Sequence, residues 1–315
     1  MGGQRNPSAL HLSFGRSEKP GHVASLRNSP RIQERMMPLL LTATEIADRA
    51  INLPAFPRVV NDILETLDDD NATLGALVQF VECDPVITAR VLSVANSAAL
   101  AGRHQAQLRD VNMAVSLIGL SRIKEIVLAV SLAEFARKSR MSAYFWEHSV
   151  AVAITAQELG RFKHISADYA MVSGLLHDIG QLWMARFYPL EFQMVRTAVN
   201  VSERGIIEVE RQYFGMDHCE IGGELATLWG LPERVIAAIR YHHDPSPALA
   251  EKLVDLIHVA EVLSNALDLT GREDNQVAGL SEPACNAIGL DWTQDMNSLF
   301  GKIEARTEHA CRVFR

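Results

Sequence analysis

GLLHDIGQ, residues 174–181, sets His177 beside Asp178 within an apolar helical run and just ahead of a glycine. Neighbouring side chains on a helix diverge by about 100°. The pair can therefore share a metal ion only if further donors arrive from other helices, so its meaning depends on the rest of the chain.

Outward from that octapeptide, apolar residues recur at three and four from about Thr42 onward, and strand-like alternation is scarce. The period predicts an all-α fold, a multi-helix bundle. Helices are expected at 42–50, 57–68, 73–82, 85–95, 110–118, 121–137, 143–160, 166–177, 188–199, 202–213, 217–228, 232–241, 249–267 and 294–313. Local signals mark several starts. Asp84-Pro85 and Leu231-Pro232 put proline at the first helical position, the latter after a Gly230 stop. Ser121 is the expected cap after Gly119, and Asn71 the expected cap after Asp68-Asp69-Asp70, which reads as a solvated loop. The expected organisation is a disordered basic tail at 1–40, a helical half at 41–138, a second at 139–268, and a loop with a last helix at 269–315.

With 315 residues, 48% hydrophobic and 22% charged, the chain reads as soluble and globular with a core of real size. A net charge of −8 argues against a protein that grips nucleic acid through a basic surface. The tail cations Arg5, Arg16, Lys19, Arg27, Arg31 and Arg35 read as solvated. A nucleotide ligand stays compatible with the acidic balance, because bound metal ions reverse the local charge. Cys83, Cys219, Cys285 and Cys311 are far apart and form no CxxC pair, which fits a reduced, cytoplasmic compartment. The longest apolar run, Ile126 to Ala133 broken by Ser131, falls short of the roughly 20 residues that span a bilayer, so no membrane segment is expected. The N-terminus lacks the apolar core of a signal peptide, and Asn6 stands where myristoylation needs Ser or Thr.

The histidines are unevenly spread. His11 and His22 fall in the tail and His104 in a polar loop, whereas His148, His164, His177, His218, His242, His243 and His258 crowd the second half. His148 sits on a helix whose apolar face runs through Val152 and Leu159. His218 lies in the first turn of the next such helix, and His242-His243 close another before Asp244-Pro245. Taken singly, His177 would be a satisfied core residue and His242-His243 a helix cap. Taken together, separate helices each present an imidazole where an apolar face meets a helix end. Neutral imidazoles with a carboxylate such as Asp178 suit one or two divalent ions.

These segments resemble the HD superfamily of metal-dependent phosphohydrolases, and about 50–268 resembles an HDOD domain, the HD-related output domain of bacterial signalling proteins. The likeness runs through LPAFPRVVNDILETLDDD, ECDPVITARVLSVANSA and MAVSLIGLSRIKEIVL, then WEHSVAVA, GLLHDIG, FGMDHCEIGGELATLWGLP and IRYHHDP. The resemblance implies metal ligands at His148, His177, Asp178, His218, His242 and His243, with Glu261 where the family's last aspartate stands. It implies divalent Fe, Mn, Zn or Mg as cofactor and His177 and Asp178 as catalytic residues in any active member. Relatives that cleave cyclic dinucleotides have a lysine where Gln181 stands and a GYP loop where HHDPSPAL stands, so cyclic-di-GMP hydrolysis is not expected.

The expected function is signalling: a regulatory protein that acts by protein or ligand contacts around a retained metal site, with a signalling protein as partner. Arg122 and Lys124 are candidate docking residues. The alternative is a metal-dependent phosphohydrolase acting on a nucleotide or phosphoester. There His148, His177, Asp178 and Glu261 would surround one metal and His218, His242 and His243 another.

Overall fold

The computed structural model describes residues 39–54, 58–65, 78, 81–82, 85–101, 109–139, 143–201, 204–245, 251–270, 279–292 and 296–313. Among them the chain is all-α, without a strand. In chain order the helices are α1 (Ala43–Ala50), α2 (Arg58–Glu65), α3 (Pro85–Ala101), α4 (Val111–Ile118), α5 (Leu120–Lys138), α6 (Ala143–Lys163), α7 (Ala167–Leu176), α8 (Ile179–Phe187), α9 (Pro189–Val201), α10 (Ile206–Phe214), α11 (His218–Leu228), α12 (Glu233–Tyr241), α13 (Lys252–Ala266), α14 (Glu282–Ala287) and α15 (Asn297–Val313). None is long and apolar enough to cross a membrane. Most of the expected tail, the acidic run at 68–70, Asn71, Cys83, Asp84, His11, His22, His104 and all but residues 78, 81 and 82 of the expected helix 73–82 lie outside the described residues.

The centre is built from α6, α7 and α13, which pack on one another. Residues 148–160 of α6 are buried without interruption, as are 169–176 of α7. A helix buried on every side must be enclosed by neighbours, and these two are. They form a hairpin because α6 stops at His164, a left-handed residue at φ 57, after which Ile165 N–H donates back to the Gly160 carbonyl at 2.8 Å. Around this centre, α15 packs on α6 and α5 on α7, while α12 packs on α7 and α13, followed by α11 and then α8. Helices α2, α3 and α4 gather on α5.

Although α1 comes first in the chain, it packs on α11. The backbone of Leu39 and Leu41 donates to the carbonyls of Tyr213 and Phe214 at 2.7 and 2.9 Å, and the Arg49 guanidinium lies 4.6 Å from the Tyr188 ring. This strand-like tether and the cation–π contact hold α1 against the end of α10 and the start of α9.

Several local expectations need correction. Gly119, at φ 86, caps α5, and the helix begins at Leu120 before Ser121 is reached. Pro232 is the cap of α12 and not its first residue. Helix α10 starts after Gly205, four residues later than expected, and α3 runs on to Ala101. The loop-like stretch after Leu267 contains a short helix, α14, because the Ser281 hydroxyl accepts from Ala284 N–H at 3.2 Å and Pro283 favours the first turn. The largest correction is α8, absent from the expected set, which begins immediately after Asp178.

Candidate metal centre

His177 and Asp178 lie at a break between two helices. His177 closes α7 at φ −51, ψ −39, and Asp178 caps α8 at φ −97, ψ 15. On a continuous helix their side chains would diverge by about 100°. The break instead brings His177 Nε2 to 3.5 Å from Asp178 Oδ2. The glycines of the octapeptide permit this arrangement. A Cβ on Gly174 would lie 2.8 Å from Ala153 Cα, and one on Gly180 would lie 2.0 Å from the His218 carbonyl oxygen. Helix α7 thus meets α6, and α8 meets α11, at separations that exclude any side chain.

Asp178 is the hub of the cluster. Its Oδ2 faces His148 Nε2 at 3.7 Å and His177, while Oδ1 faces His218 Nε2 at 3.2 Å and His242 Nε2 at 3.8 Å. His218 Nε2 and His242 Nε2 are 3.4 Å apart. His243 Nε2 lies 3.8 Å from Glu261 Oε1. Within 4.8 Å, donor atoms form three overlapping sets: His148, His177 and Asp178; His177, His242 and Glu261; and His218, Cys219, His242 and His243. All seven residues expected from the sequence, carried by α6, the α7–α8 break, α11, the end of α12 and α13, therefore meet in one region.

Three of the imidazoles are oriented from behind. His177 Nδ1–H donates to the Gly174 carbonyl and His242 Nδ1–H to the Ile239 carbonyl, both at 2.8 Å. His218 Nδ1–H donates to Glu210 Oε2 at 2.6 Å. Since these partners only accept, each of these three Nδ1 atoms carries a proton and each Nε2 faces the cluster. His177 Nε2 and His148 Nδ1 are nevertheless buried without a hydrogen-bond partner. An orphaned buried acceptor costs about 1–3 kcal/mol, and at His177 Nε2, which faces the cluster, a bound cation would offset it. Ligands held about 2.0–2.2 Å from an ion sit roughly 3–3.5 Å from one another, close to the separations found here. The donor set fits a divalent ion.

Burial drives the electrostatics. It pushes His148 and His242 below the usual histidine range, which keeps them neutral and able to ligate. Burial opposes a charge on Asp178 too, yet the surrounding His177, His218 and His148 outweigh it and hold the carboxyl well below its usual range. His218 is held well above the histidine range because, against burial, Cys219, Glu210 and Asp178 surround it. Burial also raises the Cys219 thiol to about 11.

The sequence profile of the HDOD domain matches residues 53–245. The chain belongs to the HDOD family. An uncharacterised protein of Treponema pallidum (strain Nichols) is 26% identical over 236 residues, covering 72% of this HDOD chain and 45% of that protein. A Ribonuclease Y of Thermus thermophilus is 34% identical over 131 residues, covering 40% of this chain and 17% of the enzyme. The chain thus spans less than half the length of either. An HDOD domain protein of unknown function from Geobacter sulfurreducens has the same fold, with a TM-score of 0.69 and 24% identity over 85% of this chain and 96% of that one.

Four residues in or beside the cluster escaped the sequence pattern. Glu210, fully buried on α10, accepts from both the backbone N–H and the ring of His218. Gln181, expected only as a replacement for lysine, points inward and donates to Asp178 Oδ1 at 3.0 Å. His258 fixes the end of α12 by donating to the His242 carbonyl at 2.8 Å, while its Nε2 accepts from Ser281 N–H at 3.3 Å. Cys219 has its sulfur 3.8 Å from both ring nitrogens of His242. Arg122 has no described side chain, and the Lys124 side chain is partly buried.

Proposed function

We propose that this HDOD chain is a regulatory protein that works through a signalling protein partner, its helical body closed around a divalent metal centre held by His148, His177, Asp178, His218, His242, His243 and Glu261. One observation carries the proposal. His148, His177, Asp178, His218 and His242 are each 6% exposed or less, and the Nε2 of each imidazole faces an Asp178 oxygen within 3.8 Å. A cluster so deeply enclosed, with His177, His218 and His242 braced from behind, suits an ion that ties helices together.

When bound, the ion would supply Lewis acidity, polarising a phosphoryl oxygen and activating water. The protein's own groups would perform other tasks. Glu210 and the carbonyls of Gly174 and Ile239 fix the imidazole tautomers. Asp178 presents one oxygen to each half of the cluster, and Gln181 holds that carboxylate in place. Because the Gln181 amide is neutral and already bonded to Asp178, it offers no charge to a substrate phosphate.

A second reading, hydrolysis of a nucleotide or other phosphoester, is favoured by the rim of the cluster. There the side chains of His243 and Glu261 are 23% and 12% exposed, an opening on which His177 and Asp178 could act. The Ribonuclease Y likeness makes RNA one substrate to include. Protein purified without chelator is expected to carry metal by elemental analysis and to turn over neither bis-p-nitrophenyl phosphate, nucleotides nor short RNA. Turnover that disappears in His177→Ala would overturn the regulatory reading in favour of the hydrolase.

A further inference from the structure

Cys219 is the second residue of α11, 4% exposed, and has no counterpart in the ligand set implied by the HD resemblance. Its sulfur nevertheless shares a 4.8 Å cluster with the donor atoms of His218, His242 and His243. The neighbouring donors have a regular spacing. In a tetrahedral zinc site with Zn–N near 2.0–2.1 Å and Zn–S near 2.3 Å, adjacent donors sit roughly 3.4 Å (N to N) and 3.6 Å (N to S) apart. Here His218 Nε2 and His242 Nε2 are 3.4 Å apart, and Cys219 Sγ lies 3.8 Å from His242 Nε2.

A second observation points to a ligand. His177 Nε2, fully buried and without a hydrogen-bond partner, belongs to a ring whose centroid is 5.0 Å from that of His242. His242 is thus shared by a set with an unfilled nitrogen and a set containing sulfur. The His242 Nδ1–H is already committed to the Ile239 carbonyl, so its Nε2 is the atom left for an ion.

We propose that Cys219 supplies a thiolate to the ion held by His218, His242 and His243, making this half of the centre a nitrogen–sulfur site selective for zinc over magnesium and manganese. The proposal rests on reading the cluster as a metal centre. On binding, the thiol proton passes to solvent, one sulfur–metal bond forms, and no electrons are exchanged. Soft sulfur favours zinc, whereas magnesium and manganese prefer oxygen donors. The other half, where Asp178 Oδ2 faces His148 and His177, lacks sulfur and is harder.

Cobalt(II) titrated into the metal-stripped full chain tests this by absorption, independently of any activity. The expected result is visible d–d bands together with an intense near-ultraviolet thiolate-to-cobalt band. Cys219→Ser should lose the near-ultraviolet band and keep visible bands, with zinc affinity reduced at least about tenfold, the smallest loss usual even for an outer partner. Cys285→Ser, which alters the buried cysteine of α14, should keep both. Visible bands without the near-ultraviolet band in the unmodified chain would overturn the thiolate while leaving the metal centre intact. No cobalt uptake at all would overturn both. The unmodified chain decides the matter even if a variant fails to fold.

Discussion

Helix α6 carries two polar constellations that differ in one respect, whether their charges and hydrogen bonds are complete. Toward its C-terminal end, Arg161 donates to Glu158 at 2.7 Å and to Glu125, while Arg306 of α15 donates to Glu158 and, at 2.8 Å, to Gln157. Two guanidiniums face two carboxylates, and the group fastens α15 and α5 to α6 without help. Toward the other end, His148 joins a cluster of imidazoles around one central carboxylate, and two ring nitrogens are buried without partners. A completed constellation is a latch, whereas an incomplete one built of braced donors is a socket. The two ends should therefore respond differently to mutation, metal and acid.

The strongest way to break this contrast is at Gly180, on which the socket depends and the latch does not. A Cβ there would strike the His218 carbonyl, a backbone atom unable to rotate away, so Gly180→Ala must separate α8 from α11. The expected cost is about 3 kcal/mol in urea denaturation, the upper end for overpacking, together with lost metal binding. Unchanged metal stoichiometry in this variant would show that the donors do not need the close approach.

Metal removal comes next. At free ion a hundredfold above its Kd, binding to the folded state adds about 2.7 kcal/mol. Chelation should therefore lower Tm in the unmodified chain and in Arg306→Ala, and lower it less in His177→Ala, which keeps only the His218, Cys219, His242 and His243 set. If Arg306→Ala lost its response to chelator, the two ends would be coupled and the distinction between latch and socket would fail.

The socket was more legible in the sequence than its supports. His148, His218, His242 and His243 stood out because each sits where an apolar period meets a helix end, and the family resemblance joined them to His177, Asp178 and Glu261. The all-α fold followed from the same period. Glu210 was invisible because, within IIEVERQYF, a glutamate looks like part of a solvated face, and only the packing of α10 beside His218 makes it a buried acceptor. Helix α8 was missed because apolar residues continue through the octapeptide, while the break is a matter of dihedral angles at Asp178. Nor could spacing reveal that α1 packs on α11, from which it is separated by most of the chain.

Acid sharpens the contrast further. In the metal-free chain, His148 and His242 are held below their unfolded pKa of about 6.5, so the unfolded state binds more protons below that pH. Stability should fall as pH drops from about 6.5 toward their folded values, by at most about 1.4 kcal/mol per pH unit for each imidazole. His218 shifts upward, so its contribution is fully present below about 6.5 and is lost as pH rises through its folded value. Urea titrations of the stripped chain between about pH 7 and 5 should show the loss from His148 and His242, and saturating metal should suppress it. A flat profile without metal would mean that the socket rearranges to accept protons.

The latch responds more weakly. Arg306→Ala leaves Glu158 with Arg161 and should cost about 1–2 kcal/mol, below the roughly 3–5 typical of a broken buried pair because the arginine side chain is 29% exposed. Metal content should stay the same.

The smallest effect is expected at Asp168, in the first turn of α7, and it has the opposite sign. Burial, reinforced by Glu125, raises its pKa, so the folded state holds its proton more tightly than the unfolded chain does. That contribution is present below the ordinary aspartate value of about 3.9 and is lost as pH rises through the folded pKa, leaving the charged form unfavourable at neutral pH. Asp168→Asn should therefore raise stability at about pH 7. Losing a carboxylate at a helix N-terminus opposes the gain by about 0.3–1 kcal/mol, so the net rise should be small. Parallel urea titrations at about pH 7 and pH 3 separate the two contributions, since protonation at the lower pH removes the charge that the variant lacks. If the variant were less stable at neutral pH by more than in acid, the Asp168 charge would be an asset, and the latch would extend from α5, α6 and α15 onto α7.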